Sequence, residues 1–218
     1  VGARMCVRVQ RQAEERLALQ ERLSEQDVTA LSLLSNSLRA ELRFEIQRTH
    51  LASHPLFNLA MRLDMPCVAL LSRDALDFVH LRANDELFLP ATPVDTAYVL
   101  IAGQLRYCQY PLSAPVQEPT SQQVNEGAWI CRAALWSEWT TVGQADATSS
   151  SQLLSIPAAG MLQVLQSSMQ LARVVREYAR QFHKRIISAR PPQAPWPTDL
   201  EVPFTDYCDL VFSMGQEV

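Results

Sequence analysis

The sequence predicts an α+β fold in which a helical first third leads into a β-roll of short strands, closed by one long helix. Three observations predict it. Residues 4–23 contain no proline and are rich in Arg, Gln, Glu and Leu, all good helix formers. From Ala75 onward β-rich runs punctuated by turn residues replace helical spacing. Beyond Pro157, Leu171, Val175, Tyr178, Phe182 and Ile186 recur at steps of three or four, which is one face of a long helix.

Each element has a local reason. Ser24 is placed to cap a helix, with Asp27 three residues on and Val28, Leu31 and Leu34 along one side. Asn36 or Ser37 caps the next, whose apolar face is Leu38, Leu42 and Ile46. His54-Pro55 ends the helical region, because proline disfavours helical geometry in the residue before it. Leu76, Phe78 and His80 then alternate loosely with polar positions, and Glu86–Leu89 reads as a short strand before Pro90. Ala97–Ala102 and Gln104–Tyr110 form a hairpin-like pair about Gly103, which supplies the positive φ a tight reversal needs. Residues 111–125, with three prolines and several Ser and Gln, read as a solvated loop. Arg190-Pro191-Pro192 stops the last helix. The tail to Val218 carries Trp196, Phe204, Tyr207 and Phe212, enough apolar anchors to pack in part as one short helix.

Bulk properties narrow the function. A chain of 218 residues, 48% hydrophobic, can bury one sizeable core plus an appendage. A net charge of −4 gives no basic footprint for nucleic acid. Cys6, Cys67, Cys108, Cys131 and Cys208 are odd in number and lack metal spacing, which favours reduced thiols inside a cell. No apolar run approaches the roughly 18 residues of a membrane span. The chain begins with Val1 rather than Met, and we expect it to be part of a longer protein that includes a membrane portion.

No Ser-His-Asp order, phosphate loop or carboxylate pair points to catalysis. His50 and His54 stand at i and i+4 but have no Glu between them in the manner of a zinc helix, and Pro55 adjoins them. His80 and His183 read as ordinary surface or half-buried histidines. The run Arg173, Arg176, Arg180, His183, Lys184 and Arg185 reads as the solvated side of the last helix, or as a patch for anionic lipid or an acidic neighbour. Trp129, Trp136 and Trp139 read either as an aromatic pocket for a base or as large core residues covering the roll.

The stretch from Gly127 to Ile156 carries Gly127, Ala133-Ala134-Leu135, Ala147, Leu153-Leu154 and Ile156 at the spacing of a phosphate-binding cassette. It resembles the cyclic-nucleotide-binding domain. Upstream, LLSNSLRAELRFEIQRTHLASHPLF resembles the C-linker of cyclic-nucleotide-gated, hyperpolarisation-activated and ether-à-go-go-type channels, with Leu38-Arg39, Glu41-Leu42 and Pro55-Leu56-Phe57 at its positions. The resemblance implies a helical C-linker over 1–54, then a double-stranded β-helix, or jelly-roll-like β-roll, flanked by helices over 55–189. A Pro-rich, partly packed tail follows over 190–218. It also implies the cytosolic regulatory module of a voltage-gated potassium or cation channel, forming a homotetramer through its linker at the cytosolic face of a membrane. The pore domain is absent from this chain. The alternative is a soluble cyclic-nucleotide-sensing domain like a kinase regulatory subunit.

By the same resemblance the ligand positions are Cys131, Arg132, Ala133, Ala134, Thr141 and Val142. The chemistry departs from the family there. Arg132 stands where the family places a ribose-binding Glu, and it has no acceptor for a hydroxyl. Thr141 stands where the family places a phosphate-binding Arg, and it offers one neutral hydrogen bond in place of a charged fork. The expectation is therefore a degenerate pocket that does not hold cAMP or cGMP tightly, with a residue of the chain's own tail in their place.

Overall fold

The computed structural model describes Met5 and residues 33–214. The chain divides into two compact units, Val1–Leu42 and Arg43–Val218. Apart from Met5, the expected first helix falls outside the described residues, as do Ser24, Asp27, Val28 and Leu31. Helix α1 (Asn36–Leu51) is capped one residue earlier than expected: the Ser35 hydroxyl accepts from the Leu38 N–H at 3.2 Å. Leu38, Leu42 and Ile46 lie on its exposed side, whereas Gln47 and Leu51 are buried. Arg43 pairs with Asp77 at 2.6 Å and the Ser72 hydroxyl donates to Gln47 Oε1 at 2.5 Å, fixing the last turns of α1.

The chain breaks at His54, as Pro55 requires, and at once starts α2 (Pro55–Leu63). His54 caps it by accepting from the Leu56 N–H through Nδ1 at 3.2 Å, and Pro55 occupies the first turn, where no N–H is needed. The buried imidazole packs against Trp129 at 4.8 Å and Phe57 at 5.5 Å. Helix α3 (Met65–Asp74) follows, capped by Asp64, whose carboxylate accepts from the Cys67 N–H at 3.0 Å and the Ser168 hydroxyl at 2.7 Å. This helical pair has no counterpart in the sequence reading, because Pro55, Asp64 and Pro66 interrupt the period that would announce it.

The roll is wholly antiparallel. One sheet runs β1 (Asp77–Leu81), β10 (Ser151–Pro157), β4 (Thr96–Ala102) and β7 (Trp129–Ile130). The other runs β2 (Glu86–Phe88), β9 (Gly143–Ala147), β5 (Leu105–Gln109) and β6 (Thr120–Val124), and β3 (Pro93–Val94) pairs with β8 (Trp139–Thr140). Gly103 does take a positive φ of 90°, but β4 and β5 enter different sheets, so the expected hairpin is a step from one layer to the other. A Cβ at Gly103 would stand 2.5 Å from the Ser150 carbonyl oxygen. The expected loop over 111–125 also contains a strand. All five residues of β6 pair with β5, and the strand reads as loop because it is a polar sheet edge with four of its five residues exposed.

Two apolar clusters result. One fills the roll around Leu100, Leu105, Tyr107, Ile130 and Leu153. The other lies between the roll and its helices, around Phe57, Leu71, Ile156, Met161 and Leu210. Helices α4 (Ala158–Ser167) and α5 (Met169–Ser188) complete it, with Leu171, Val175, Tyr178 and Phe182 buried and Ile186 half-buried, as the spacing predicts. The tail forms one short helix, α6 (Tyr207–Phe212), yet its anchors are not those expected. Trp196, Phe204 and Phe212 are exposed, and the buried residues are Ala194, Asp199, Val202, Pro203, Thr205 and Leu210, with Tyr207 half-buried 6.5 Å from Tyr178. Large aromatic side chains carry area for burial, but the tail's path is set by a polar anchor described below.

His54 makes acid stability testable. Burial, aided by the Arg132 charge, holds its imidazole down to about pKa 3. In the unfolded chain a histidine titrates near 6.5, so between pH 6.5 and 3 the unfolded state binds the extra proton. Stability from this residue is therefore level above pH 6.5 and falls by about 1.4 kcal/mol per pH unit below it. His54→Asn keeps an acceptor at the helix cap and removes the proton. Denaturant midpoints at pH 7 and 4.5 should converge in the variant relative to the parent; an equal acid loss in both would exclude His54 as the cause.

Candidate functional site

Thr141, which by the cassette resemblance takes the position of a phosphate-binding Arg, lies in the segment from Trp139 to Gly143 that leads from β8 into β9. Thr141 is buried, and its hydroxyl is committed to the adjacent loop: it donates to the Leu89 carbonyl at 2.5 Å and accepts from the Thr92 N–H at 3.0 Å. It clamps residues 89–92 and has no free hydrogen for a ligand. The N–H groups that follow it are directed inward. Val142 donates to Asp199 Oδ2 at 3.0 Å, with a longer approach to Oδ1 at 3.3 Å, and Gly143 donates to Oδ2 at 2.8 Å.

Asp199 belongs to the tail. Its side chain is 1% exposed, and two further donors close on it: the Tyr107 hydroxyl on Oδ2 at 2.7 Å and the Trp139 indole N–H on Oδ1 at 2.7 Å. Its carbonyl oxygen accepts from the Cys131 N–H at 2.6 Å. Four neutral donors thus converge on one carboxylate, and among the described residues no cation forms a salt bridge with it. Burial accordingly raises the Asp199 carboxyl above the usual carboxylate range, opposed by the hydrogen bonds from Trp139, Tyr107, Gly143 and Val142. Burial and the neighbouring Asp199 charge push the Tyr107 hydroxyl upward, so it remains a proton donor.

Local sequence builds this receptor. Gly143 begins β9 beneath the Tyr107 ring; a Cβ there would stand 2.5 Å from two ring carbons and 2.6 Å from the Cys108 carbonyl oxygen. Only glycine lets Tyr107 lie flat enough to reach Asp199. Cys131 adopts a left-handed conformation, φ 54° and ψ 34°, costly for a residue with a side chain, and this turns its N–H toward the tail. The tail is equally prepared. Pro191, Pro192, Pro195 and Pro197 restrict its approach. Thr198 then folds a tight turn, its hydroxyl oxygen accepting from the N–H groups of Leu200 at 3.3 Å and Glu201 at 3.0 Å. Leu200 packs on the roll cluster, and Val202 and Leu210 join the cluster under α5. Arg185 donates to the Ser213 hydroxyl at 2.7 Å, tying the residue after α6 to α5.

Of the six positions expected to meet a ligand, Cys131 and Val142 touch Asp199, both through the backbone. Ala133 and Ala134 are buried, one in each apolar cluster, within the 3-10 turn Arg132–Leu135. Arg132 is half-buried at the rim of a groove of about 630 Å³ that it shares with Gln122, Asn125, Trp129, Leu200 and Glu201. Its charge bears on His54 and Tyr178, not on the receptor. The Cys131 thiol is buried and pushed up by that burial, so it stays protonated and unreactive. Trp136 is a core residue against Tyr178 at 5.2 Å, and Trp129 donates to the Ser53 hydroxyl at 3.0 Å, whereas Trp139 serves the site. Among the described residues no cluster of metal-ligating side chains occurs.

No family model matches the chain, and no curated protein matches it. Solved structures do. The N-terminal domain of a transcriptional regulator from Streptomyces coelicolor A3(2) is 23% identical, covers 62% of this chain and 91% of its own, and superposes with a TM-score of 0.50. A cyclic nucleotide-binding-like protein from Brucella abortus is 22% identical over 54% of this chain and 96% of its own, with a TM-score of 0.45. The sensor domain of the transcriptional regulator DNR from Pseudomonas aeruginosa is 21% identical over 68% and 96%, with a TM-score of 0.47. At these identities the likeness is one of fold. It agrees with the α+β β-roll described above.

Gly143→Ala tests the receptor's geometry. The added methyl cannot be absorbed by a flexible tip, since a ring and a backbone oxygen both oppose it. Denaturant unfolding should show a loss of about 1–3 kcal/mol, typical of overpacking. Unchanged stability would mean that Tyr107 can shift freely and does not need Gly143.

Proposed function

We propose that this chain is a non-enzymatic regulatory module whose β-roll pocket is held by its own tail in place of a cyclic nucleotide. The observation that carries the proposal is the Asp199 carboxylate on the N–H groups of Val142 and Gly143, where a ligand's phosphate would be received. The linker resemblance extends the reading: the module is the cytosolic gating part of a voltage-gated potassium or cation channel. In that role it stands at the cytosolic face of a membrane. No helix of the described residues is long and apolar enough to cross one, so the pore lies outside them. The regulatory output follows from fixed contacts. The tail bonds to the roll at Asp199 and shares an apolar cluster with α5 through Val202, Tyr207 and Leu210, so its docking favours the state in which α5 is packed against the roll.

Calorimetry tests the pocket. Neither cAMP nor cGMP should bind the full chain with a Kd below about 100 µM, an affinity of about 5.5 kcal/mol. Low-micromolar binding would overturn the self-filled pocket and favour the alternative, a soluble cyclic-nucleotide sensor resembling a kinase regulatory subunit.

Assembly tests the channel role. The exposed stripe Leu38, Leu42 and Ile46 on α1 needs a partner, and a head-to-tail contact repeated four times closes a ring. Sedimentation of the full chain should show concentration-dependent self-association that is lost on Leu42→Lys or on removal of residues before His54. A strictly monomeric full chain at high concentration would remove the physical support for a gating ring.

A further inference from the structure

The receptor around Asp199 has a chemical selectivity of its own. It presents four neutral donors to two oxygens: Trp139 on one, Tyr107 and Gly143 on the other, and Val142 on both, nearer the second. A planar carboxylate satisfies all four with its two oxygens. Inorganic phosphate would bring two more oxygens and, as the dianion, a further charge, and a cyclic phosphodiester would bring its sugar and base, into a buried space where no arginine or lysine among the described residues pairs with the occupant. An unpaired buried charge is costly, and each oxygen without a donor adds to that cost.

We propose that this pocket is a carboxylate receptor: once the Asp199 side chain leaves it, it takes up a free monocarboxylate, or the carboxylate of an acidic peptide, in preference to a phosphate. The proposal rests on the tail-filled pocket of the preceding section and is independent of the channel role. In the intact chain Asp199 wins by tethering, since a short linker gives an effective concentration in the millimolar range. A rival must therefore exceed that concentration or the tail must lift. The groove bordered by Leu200, Glu201 and Arg132 adjoins the same tail segment.

Chemical rescue reads this directly. Asp199→Ala in the full chain deletes the carboxylate and leaves four donors unsatisfied, a space matched by formate. Asp199→Gly deletes one carbon more, a space matched by acetate. The unfolding midpoint of each variant should rise by about 5–10 °C at roughly one hundred times the Kd of its matched anion. Sodium chloride, phosphate or cAMP at the same ionic strength should leave it unmoved, as should formate on the parent chain. Asp199→Asn, which fills the space but turns an NH2 toward donors, should not respond.

Adding Tyr107→Phe to the Asp199→Ala chain should weaken formate by roughly tenfold. If the Ala variant does not fold alone, formate should fold it; a variant that stays unfolded with formate counts against the receptor. A second arm adds the peptide Thr-Asp-Leu-Glu-Val or its Asn version. Stabilisation by the Asp peptide alone identifies an acidic segment as the source, and stabilisation by formate alone identifies a small free anion. Equal rescue by phosphate and formate would overturn the selectivity, and absence of any rescue would overturn the receptor. Neither outcome bears on whether the parent chain binds nucleotide, which calorimetry reads on its own, so the two readings fall separately.

Discussion

A carboxylate buried with no cation paired to it among the described residues is the constraint on which the tail and one end of the roll depend. Asp199 remains inside the roll because four donors satisfy it, and those donors come from separate parts of the chain: Tyr107 on β5, Trp139 on β8, and Val142 and Gly143 at the entry to β9. Each donor has to be held where it is for the others to suffice. The clamp of Thr141 on residues 89–92, the missing side chain at Gly143 and the left-handed turn at Cys131 all serve that end. The strain at Cys131 persists because the Asp199 carbonyl and the 3-10 turn fix it from both sides.

The departures from a nucleotide cassette form a consistent set in this light. An arginine at position 141 would offer a cation to an anion that four neutral donors already hold. A threonine there gives its hydrogen bonds to the loop and leaves the anion to two backbone N–H groups, the Tyr107 hydroxyl and the Trp139 indole. Arg132, standing where a ribose would need an acceptor, lies at the rim and acts on His54 and Tyr178. Its charge discourages protonation of the buried His54, which keeps that imidazole a neutral acceptor for the helix that starts at Pro55.

The sequence was legible where periodicity or backbone chemistry decides. The stripe from Leu171 to Ile186 buries as a 3.6-residue period requires, and the break at His54-Pro55 and the positive φ at Gly103 are local consequences of proline and glycine. It was illegible where tertiary pairing decides. The polar strand Thr120–Val124 exists because β5 offers it a ladder, not because its residues favour one. Of the positions the cassette resemblance gave, Cys131 and Val142 meet Asp199, both through backbone N–H groups, whose direction depends on tertiary placement and not on residue type. Asp199 carried no mark beyond a Thr-Asp-Leu-Glu turn signature, and a buried carboxylate has the same letters as an exposed one. The aromatic anchors assigned to the tail misled for a related reason: hydrophobic content shows that a segment can pack, not which of its residues does.

The proline-bordered tether has a thermodynamic consequence. A diffusible effector occupies its site according to its concentration, and dilution empties the site. An occupant on the same chain cannot be diluted, so occupancy here is a property of each molecule and independent of protein concentration. Backbone cleavage anywhere between Arg190 and Pro197 would change that order of reaction. The tail contacts around Asp199 would be retained, but their free energy would then have to offset the loss of a second molecule's translational freedom. Covalent continuity through a handful of prolines is what makes a modest set of neutral hydrogen bonds sufficient.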